Sequence, residues 1–420
     1  MLKVVTSEPA SPQEFLSVLD EIAREGARRM LVQALRLEAD EYLERHKDLR
    51  DDDGKRLVVG NGVGQARSLT LGSGAVQVNQ PRVNDRREGH KFTSEILPPY
   101  LRKSPKVESL LPILYLKGLS TNDFQSALSE FLGEGTMGLS PASIVKLKKI
   151  WEEEFAQWEK RRITKRFVYL WADGVNVQVR LGEDKKICLL VIIGVTEDGE
   201  KELLAVHPGY RESKDSWLHV LNSLTGRAMS APLLAVGDGA LGFWSALRSC
   251  EGFEETDEQR CWVHKIANVL DKLPKRLQAD AKGQLHEMMR AESLASCAKT
   301  RDQFIKLHRE KYPKAVECLE KDWDELTTFF RYPGAHWQHL RTTNPIESSF
   351  ATVKLRTKVT KGAGSAKTAA TMAFKLLVEC QKKWRKINAP EEIKNLLAGL
   401  EYRDGVVVTP PSSHHEAAAG

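Results

Sequence analysis

Apolar residues recur at helical spacing from about Ser11 to His46, where Phe15, Leu16, Leu19, Ile22 and Ala23 share one face, so a long helix is expected to open the chain. Asp51-Asp52-Asp53-Gly54 breaks it. Residues 57 to 83 mix short β-like pieces, such as Ala75-Val76-Gln77-Val78, with Gly60, Gly62, Gly64, Gly72 and Gly74. Gly60-Asn61-Gly62-Val63-Gly64 has the glycine density of a phosphate-binding loop, but no helix follows it, and it reads as hairpin turns. From Ser104 to about Arg161 the pattern is helical again. The spacing predicts Pro105 to Lys117, ended by Gly118, then Asn122 to Leu132 capped by Ser120 and Thr121, then a helix from Ser140-Pro141 through Ile150 and Phe155. These three short helices with tight connections form a candidate helix-turn-helix, the third carrying Lys146, Lys148 and Lys149; a three-helix bundle with a solvated lysine face fits the same pattern.

The periodicity then changes from helical to extended. Phe167 to Ala172 is a predicted strand ending at Asp173-Gly174, with Val175 to Leu181 as its hairpin partner. Lys186 to Thr196 is a third strand, followed by Asp198-Gly199. Ser213 to Met229 reads as a helix, Leu233 to Val236 as a strand ending at Gly237-Asp238-Gly239, and a helix follows through Phe243, Trp244 and Leu247. Three strands, a helix and a strand match the opening of a ribonuclease H-like sheet. His264 to about Phe330 is charged and helix-forming, which suggests a helical insertion. Pro345 starts a helix to about Thr357, and Ala366 to Lys386 forms another. The expected organisation is an N-terminal helix with a possible dimerisation role (1–50), a mainly helical DNA-binding region (51–161), an α/β core (162–263), the insertion (264–335), the end of the core (336–390) and a partly disordered tail (391–420).

Composition narrows the function classes. Of 420 residues, 41% are apolar and 29% charged, enough for two or three domains with a sizeable core. Sixty-three basic residues against 57 acidic ones give a net charge of only +6, so local basic clusters matter more than the total. The run Leu189 to Val195 is too short to span a bilayer, and the start lacks a signal-peptide hydrophobic region. Six scattered cysteines without a CxxC pair suit reduced thiols in a cytosolic protein.

Three acids carry the candidate chemistry. Asp173 and Asp238 each follow an apolar strand and precede a glycine, which aims a carboxylate into the crevice above a sheet; Asp-Gly is equally a common turn dipeptide. Glu347 falls at the third position of a helix begun by Asn344 and Pro345, so it is either a capping-box acid or a metal ligand. Together, two strand-end aspartates and a glutamate on a covering helix can hold two divalent ions for phosphoryl transfer on nucleic acid. Flanking cations then offset the repulsion between acids and phosphates, and Lys354, Arg356, Lys358 and Lys361 follow Glu347.

At these residues the sequence resembles the mutator-type transposases of bacterial insertion sequences. The resemblance runs through Ala172-Asp173-Gly174, Val236-Gly237-Asp238-Gly239, Gln259 to Lys265 (QRCWVHK) and His336 to Ser348 (HWQHLRTTNPIES), and extends weakly through Gly118-Leu119-Ser120. It implies a ribonuclease H-like core interrupted by a helical insertion, with Asp173, Asp238 and Glu347 as a catalytic triad binding two Mg²⁺, or Mn²⁺ in its place. It also implies binding to terminal inverted repeats, hydrolysis at the transposon end and transfer of the 3′-hydroxyl to target double-stranded DNA. A homodimer is expected because two ends must be joined, with the protein cytoplasmic and nucleoid-associated. A DNA-binding repressor with a degenerate nuclease-like fold, or a structure-specific nuclease, is the alternative.

Cys261, His264 and Asn344 are candidate neighbours of the active site. Cys261-x-x-His264 and His336-x-x-His339 also have zinc-ligand spacing, with packing or DNA contact as the competing reading. Trp262 and Trp337 are candidates either for stacking on an unpaired base or for the core. Arg260 and Arg341, inside the same motifs, complete the DNA-contact candidates.

Overall fold

The computed structural model describes residues 12–117, 119, 132, 141–181, 186–209, 211–239, 241–359 and 362–408. The chain divides into two compact units, Met1–Ile150 and Trp151–Gly420. Among the described residues no helix is long and apolar enough to cross a membrane. All six cysteines are free.

In the first unit, helix α1 (Pro12–Arg45) packs on a two-stranded antiparallel hairpin, β1 (Val58–Leu71) and β2 (Gly74–Asp85). The hairpin turn lies at residues 72–73. Buried Val76 and Val78 alternate with exposed Gln77 and Asn79, so one face of the hairpin meets Leu35, Leu69 and Leu97. Two expectations change here. Residues 51–161 hold a long hairpin as well as helices, and Gly60 to Gly64 form register shifts inside β1 rather than turns. Helices α2 (Pro105–Lys117) and α3 (Pro141–Lys160) follow the expected pattern; the expected Asn122–Leu132 helix, and with it the helix-turn-helix, lies outside the described residues.

The second unit is mixed α/β around a five-stranded sheet in the order β5-β4-β3-β6-β7. Its strands are β3 (Phe167–Gln178), β4 (Lys186–Thr196), β5 (Lys201–Gly209), β6 (Leu234–Gly237) and β7 (Asp257–Arg260). β4 is antiparallel to β3 and β5, whereas β3, β6 and β7 run parallel. The apolar runs of β3 and β4 are buried on both faces, as near-continuous hydrophobic strands require. Helices α4 (Lys214–Gly226) and α5 (Leu241–Leu247) cover one face, where Leu170, Ala172, Leu190 and Ile192 pack with Trp217, Leu221 and Phe243. Deleting one of these, as in Leu190→Ala, should cost about 2–5 kcal/mol.

β3 does not end at Asp173-Gly174. It continues through both residues, with Asp173 opposite Val191 and Gly174 opposite Leu190. Val175 therefore extends the same strand, and β4 is its true partner: pairing with a long apolar neighbour overrides the turn preference of Asp-Gly. β6 is shorter and pairs with β3 only as far as Ala172 opposite Gly237. Beyond that point β3 has no strand on the β6 side until Val179 bridges Ala363, which leaves a gap, a notch beside Asp173.

After β7 come helices α6 (Trp262–Leu270), α7 (Lys275–Met289), α8 (Leu294–His308), α9 (Pro313–Glu320) and α10 (Trp323–Thr327), the helical stretch expected from the sequence. The chain returns through α11 (Trp337–Leu340), α12 (Asn344–Val359) and α13 (Ala366–Gln381). Residues 391–408, expected to be partly disordered, form helix α14 (Glu392–Leu397) and a small hairpin, β8 (Tyr402–Arg403) and β9 (Val406–Val407), anchored by buried Ile393 and Tyr402.

Candidate active site

Three hydrogen bonds join distant parts of the chain at the notch. Cys261 N–H donates to Gly237 O at 2.7 Å, tying the start of α6 to the end of β6, just before Asp238. Trp262 N–H donates to Arg341 O at 2.9 Å, and Thr343 N–H reaches Cys261 Sγ at 3.3 Å. The fully buried Cys261 thus links the loop after β6 to the first turn of α12, which carries Glu347. The Thr343 hydroxyl lies 3.3 Å from the same sulfur and also bonds Glu347 Oε1. Glu347 consequently reaches Thr343 and not the Asn344 backbone, so the expected capping box with Asn344 as its cap does not form; Asn344 is exposed.

His264 lies one helical turn beyond Cys261, with Nδ1 3.9 Å from Glu347 Oε1. The adjacent Cys261 sulfur, with the charges of Asp238 and Glu347, outweighs burial and raises its pKa to about 9. Burial alone would push the Cys261 thiol up; the neighbouring His264 and the donors of Thr343 bring it below its ordinary value instead. At neutral pH His264 is therefore a cation among acids.

Asp173 is 8% exposed, and its Oδ1 accepts from Gly174 N–H at 2.7 Å. Burial, then the nearby Asp238 and Glu212, push it up to about 7. Asp238 follows directly on β6. The glycine after it is obligatory, because Gly239 has φ +85° and a Cβ there would lie 0.7 Å from Arg260 Nη1. The charges of Asp238 and His264 both act on Asp173, and those of Asp238 and Glu347 act on His264, so His264 is the charged neighbour the three acids have in common. Their oxygens are hard donors, and a carboxylate held near neutrality by other carboxylates suits a site for hard divalent cations.

The second proposed ligand pair does not join this group. His336 is buried between the Tyr169 hydroxyl, 2.8 Å from Nδ1, and Ala389 O, 3.1 Å from Nε2. His339 Nε2 accepts from Asn388 N–H. The four-ligand zinc reading is overturned: among the described residues, the metal-capable cluster is Cys261, His264 and Glu347, whose ligand atoms lie within 4.8 Å of one another.

Several DNA-contact candidates are interior. Trp262 is fully buried and donates from Nε1 to Leu326 O; Trp337 donates to Tyr332 O and packs edge-on against Phe329 and Phe330. Both are core tryptophans, not stacking platforms. Arg260 is 7% exposed with Nε 2.9 Å from Asp322, an acid it shares with buried Lys265. Arg341 lays its guanidinium over Phe329 and Trp337. Arg356 is 1% exposed. Lys146, Lys149, Lys354 and Lys358 are exposed, Lys148 is half-buried, and Lys361 lies outside the described residues.

The described site is a mixed α/β sheet with Asp173 on one strand, Asp238 just past the end of another and, beside them, Cys261, His264 and Glu347 at metal-ligand spacing. The family model of the Mutator family of transposases matches residues 3–387. The chain is 47% identical over 314 residues to the transposase for insertion sequence element IS6120 of Mycolicibacterium smegmatis, covering 73% of this chain and 96% of that one. It is 47% identical over 297 residues to the transposase for IST2 of Acidithiobacillus ferrooxidans, covering 70% and 100%. It is 28% identical over 366 residues to the transposase for ISRM5 of Rhizobium meliloti, covering 87% and 89%. The chain belongs to the Mutator family of insertion-sequence transposases.

Proposed function

We propose that the second unit is a ribonuclease H-like core in which Asp173, Asp238 and Glu347 form the catalytic triad. The protein binds terminal inverted repeats, cleaves the transposon end by hydrolysis and joins the freed 3′-hydroxyl to target DNA. What supports this reading is that Asp173 on β3 lies in the fields of Asp238, just after β6, and of His264, which is 3.9 Å from Glu347 on α12 and also feels Asp238. Two Mg²⁺ ions, or Mn²⁺ in their place, would activate the attacking hydroxyl and stabilise the leaving oxygen.

The chain's own groups have distinct tasks. Asp173, fixed in a paired strand and hydrogen-bonded by Gly174, is the rigid donor. Glu347 is oriented by Thr343, itself held by Cys261. His264 supplies positive charge that offsets the acids and favours an approaching phosphate. Lys354 and Lys358 follow Glu347 by seven and eleven residues, which puts them on its face of α12, whereas Arg356 points to the opposite, buried face. The two exposed lysines are therefore placed to hold backbone phosphates of DNA entering the notch. A homodimer would bring two transposon ends together, with exposed Val18, Leu19 and Ile22 of α1 available for self-association. We place the protein in the cytoplasm, associated with the nucleoid.

The test uses terminal-repeat DNA with Mg²⁺. Asp173→Ala, Asp238→Ala and Glu347→Gln should each abolish cleavage while end binding persists. Normal cutting by Glu347→Gln would refute the triad. Binding without metal-dependent cleavage by the wild type would favour a repressor, and cleavage without joined product a structure-specific nuclease.

A further inference from the structure

We propose that Cys261, His264 and Glu347 form a second, softer metal site, one that takes Zn²⁺ and, while loaded, withdraws Glu347 from the hard-ion chemistry. The withdrawal rests on the triad reading above; the metal site rests on its own geometry.

Two helix starts build the cluster. Cys261 is the N-cap of α6 and His264 lies three residues on, so both side chains emerge on one side of its first turn. Glu347 meets them from the first turn of α12. A sulfur, an imidazole nitrogen and a carboxylate oxygen thus lie within 4.8 Å of one another. Around tetrahedral zinc, bonds of about 2.0–2.3 Å place neighbouring ligand atoms about 3.3–3.6 Å apart. His264 Nδ1 and Glu347 Oε1 are 3.9 Å apart, and both side chains are about one-third exposed. Small rotations of these two therefore close the set around Cys261, which burial holds still.

Neither capping nor a disulfide accounts for the sulfur. Cys261 makes no side-chain cap bond to α6, and no cysteine is paired. Its Sγ instead accepts from Thr343 N–H at 3.3 Å, the support that a metal-bound thiolate receives from its surroundings. Thr343 also bonds Glu347 Oε1 through its hydroxyl, so one residue orients two of the three ligands. His264 Nδ1 is buried and makes no hydrogen bond. A buried ring nitrogen left without a partner is costly, and a cation between it, the sulfur and the carboxylate removes that cost.

The donor set selects the metal. Thiolate and imidazole favour zinc over Mg²⁺, whereas Asp173 and Asp238 offer hard oxygens alone. Zn²⁺ takes the place of the protons on Cys261 and His264 and keeps a fourth position for water, so His336 and His339 are not needed. The carboxylate that zinc neutralises is the one the Mg²⁺ ions require, and the two metals compete for Glu347.

The full-length protein tests this with Co²⁺ as a spectroscopic substitute for Zn²⁺. The wild type should develop a near-ultraviolet sulfur-to-cobalt band and the intense visible bands of four-coordinate cobalt, both discharged by Zn²⁺. Cys261→Ser should lose the sulfur band, and His264→Ala and Glu347→Gln should each weaken Co²⁺ binding by about tenfold or more. Zn²⁺ should also stop Mg²⁺-dependent cleavage by the wild type, and a zinc chelator should restore it. Cys261→Ser, scored against its own zinc-free rate, should need about tenfold more Zn²⁺ for the same inhibition. A folded wild type without the sulfur band would overturn the inference. So would a band that survives in Cys261→Ser, or equal zinc inhibition of that variant and the wild type. Each of these results leaves the triad standing. Normal Mg²⁺-dependent cutting by Glu347→Gln would instead refute the triad and the competition with it, while the cobalt band would still report the soft site.

Discussion

Replacing Asp173 by asparagine should stabilise the metal-free protein while destroying its activity. The side chain keeps its shape and can still accept from Gly174 N–H. What changes is the charge, which burial and the neighbouring acids disfavour, with the pKa pushed up to about 7. Against an unfolded value near 3.9, a gap of about three units at about 1.4 kcal/mol each sets an upper bound on the order of 4 kcal/mol. Relaxation and the amide's unmet N–H groups reduce this to about 1–3 kcal/mol. The sign follows from the raised folded pKa. Below about pH 4 the acid is protonated in both states and nothing is lost; as pH climbs through about 7 the folded state must hold the charge, and stability falls. Thermal unfolding in EDTA should therefore show Asp173→Asn melting higher than wild type at pH 8 by about 2–10 °C, with the gap closing towards pH 4–5. Mg²⁺ should raise the wild-type midpoint at pH 8 and leave the variant unmoved. Equal midpoints at pH 8, or a gap independent of pH, would refute the argument.

Other consequences concern the surroundings of the triad. Thr343→Val removes the hydroxyl that orients Glu347 and should lower cleavage about 10–100-fold with end binding intact; normal cleavage would show that Glu347 does not need this support. Lys354→Ala and Lys358→Ala should each weaken DNA binding across sequences and reduce the salt dependence by about one ion, as read by binding at graded salt, whereas Arg356→Ala should instead lower the melting midpoint. Gly239→Ala collides with Arg260 at a left-handed backbone position and should destabilise the protein by at least about 1 kcal/mol in urea unfolding. Removing residues 1–50 should reduce paired-end complexes more than single-end binding in gel-shift assays; equal loss would count against dimerisation through α1.

The long elements were legible because each carries its own period. α1 and β4 could be read from apolar spacing and the helical stretch after β7 from its charged, helix-forming composition, and the acids at Asp173 and Asp238 stood out against the apolar strands before them. The errors arose where distant partners decide. Asp-Gly looked like a turn, but β4 pairs across it and keeps β3 extended. The edge strands β5 and the four-residue β7 are half-polar, so they carry no strong alternation. Basic residues in a motif suggest a DNA surface, yet Arg260 is held by Asp322 from the helical stretch and Arg356 lies on the inward face of α12.

The most direct measurement is anomalous diffraction from crystals of the protein soaked in Mn²⁺. The account predicts manganese peaks between the carboxylates of Asp173, Asp238 and Glu347. Peaks confined to Cys261 and His264, or none within reach of Asp173, would contradict it.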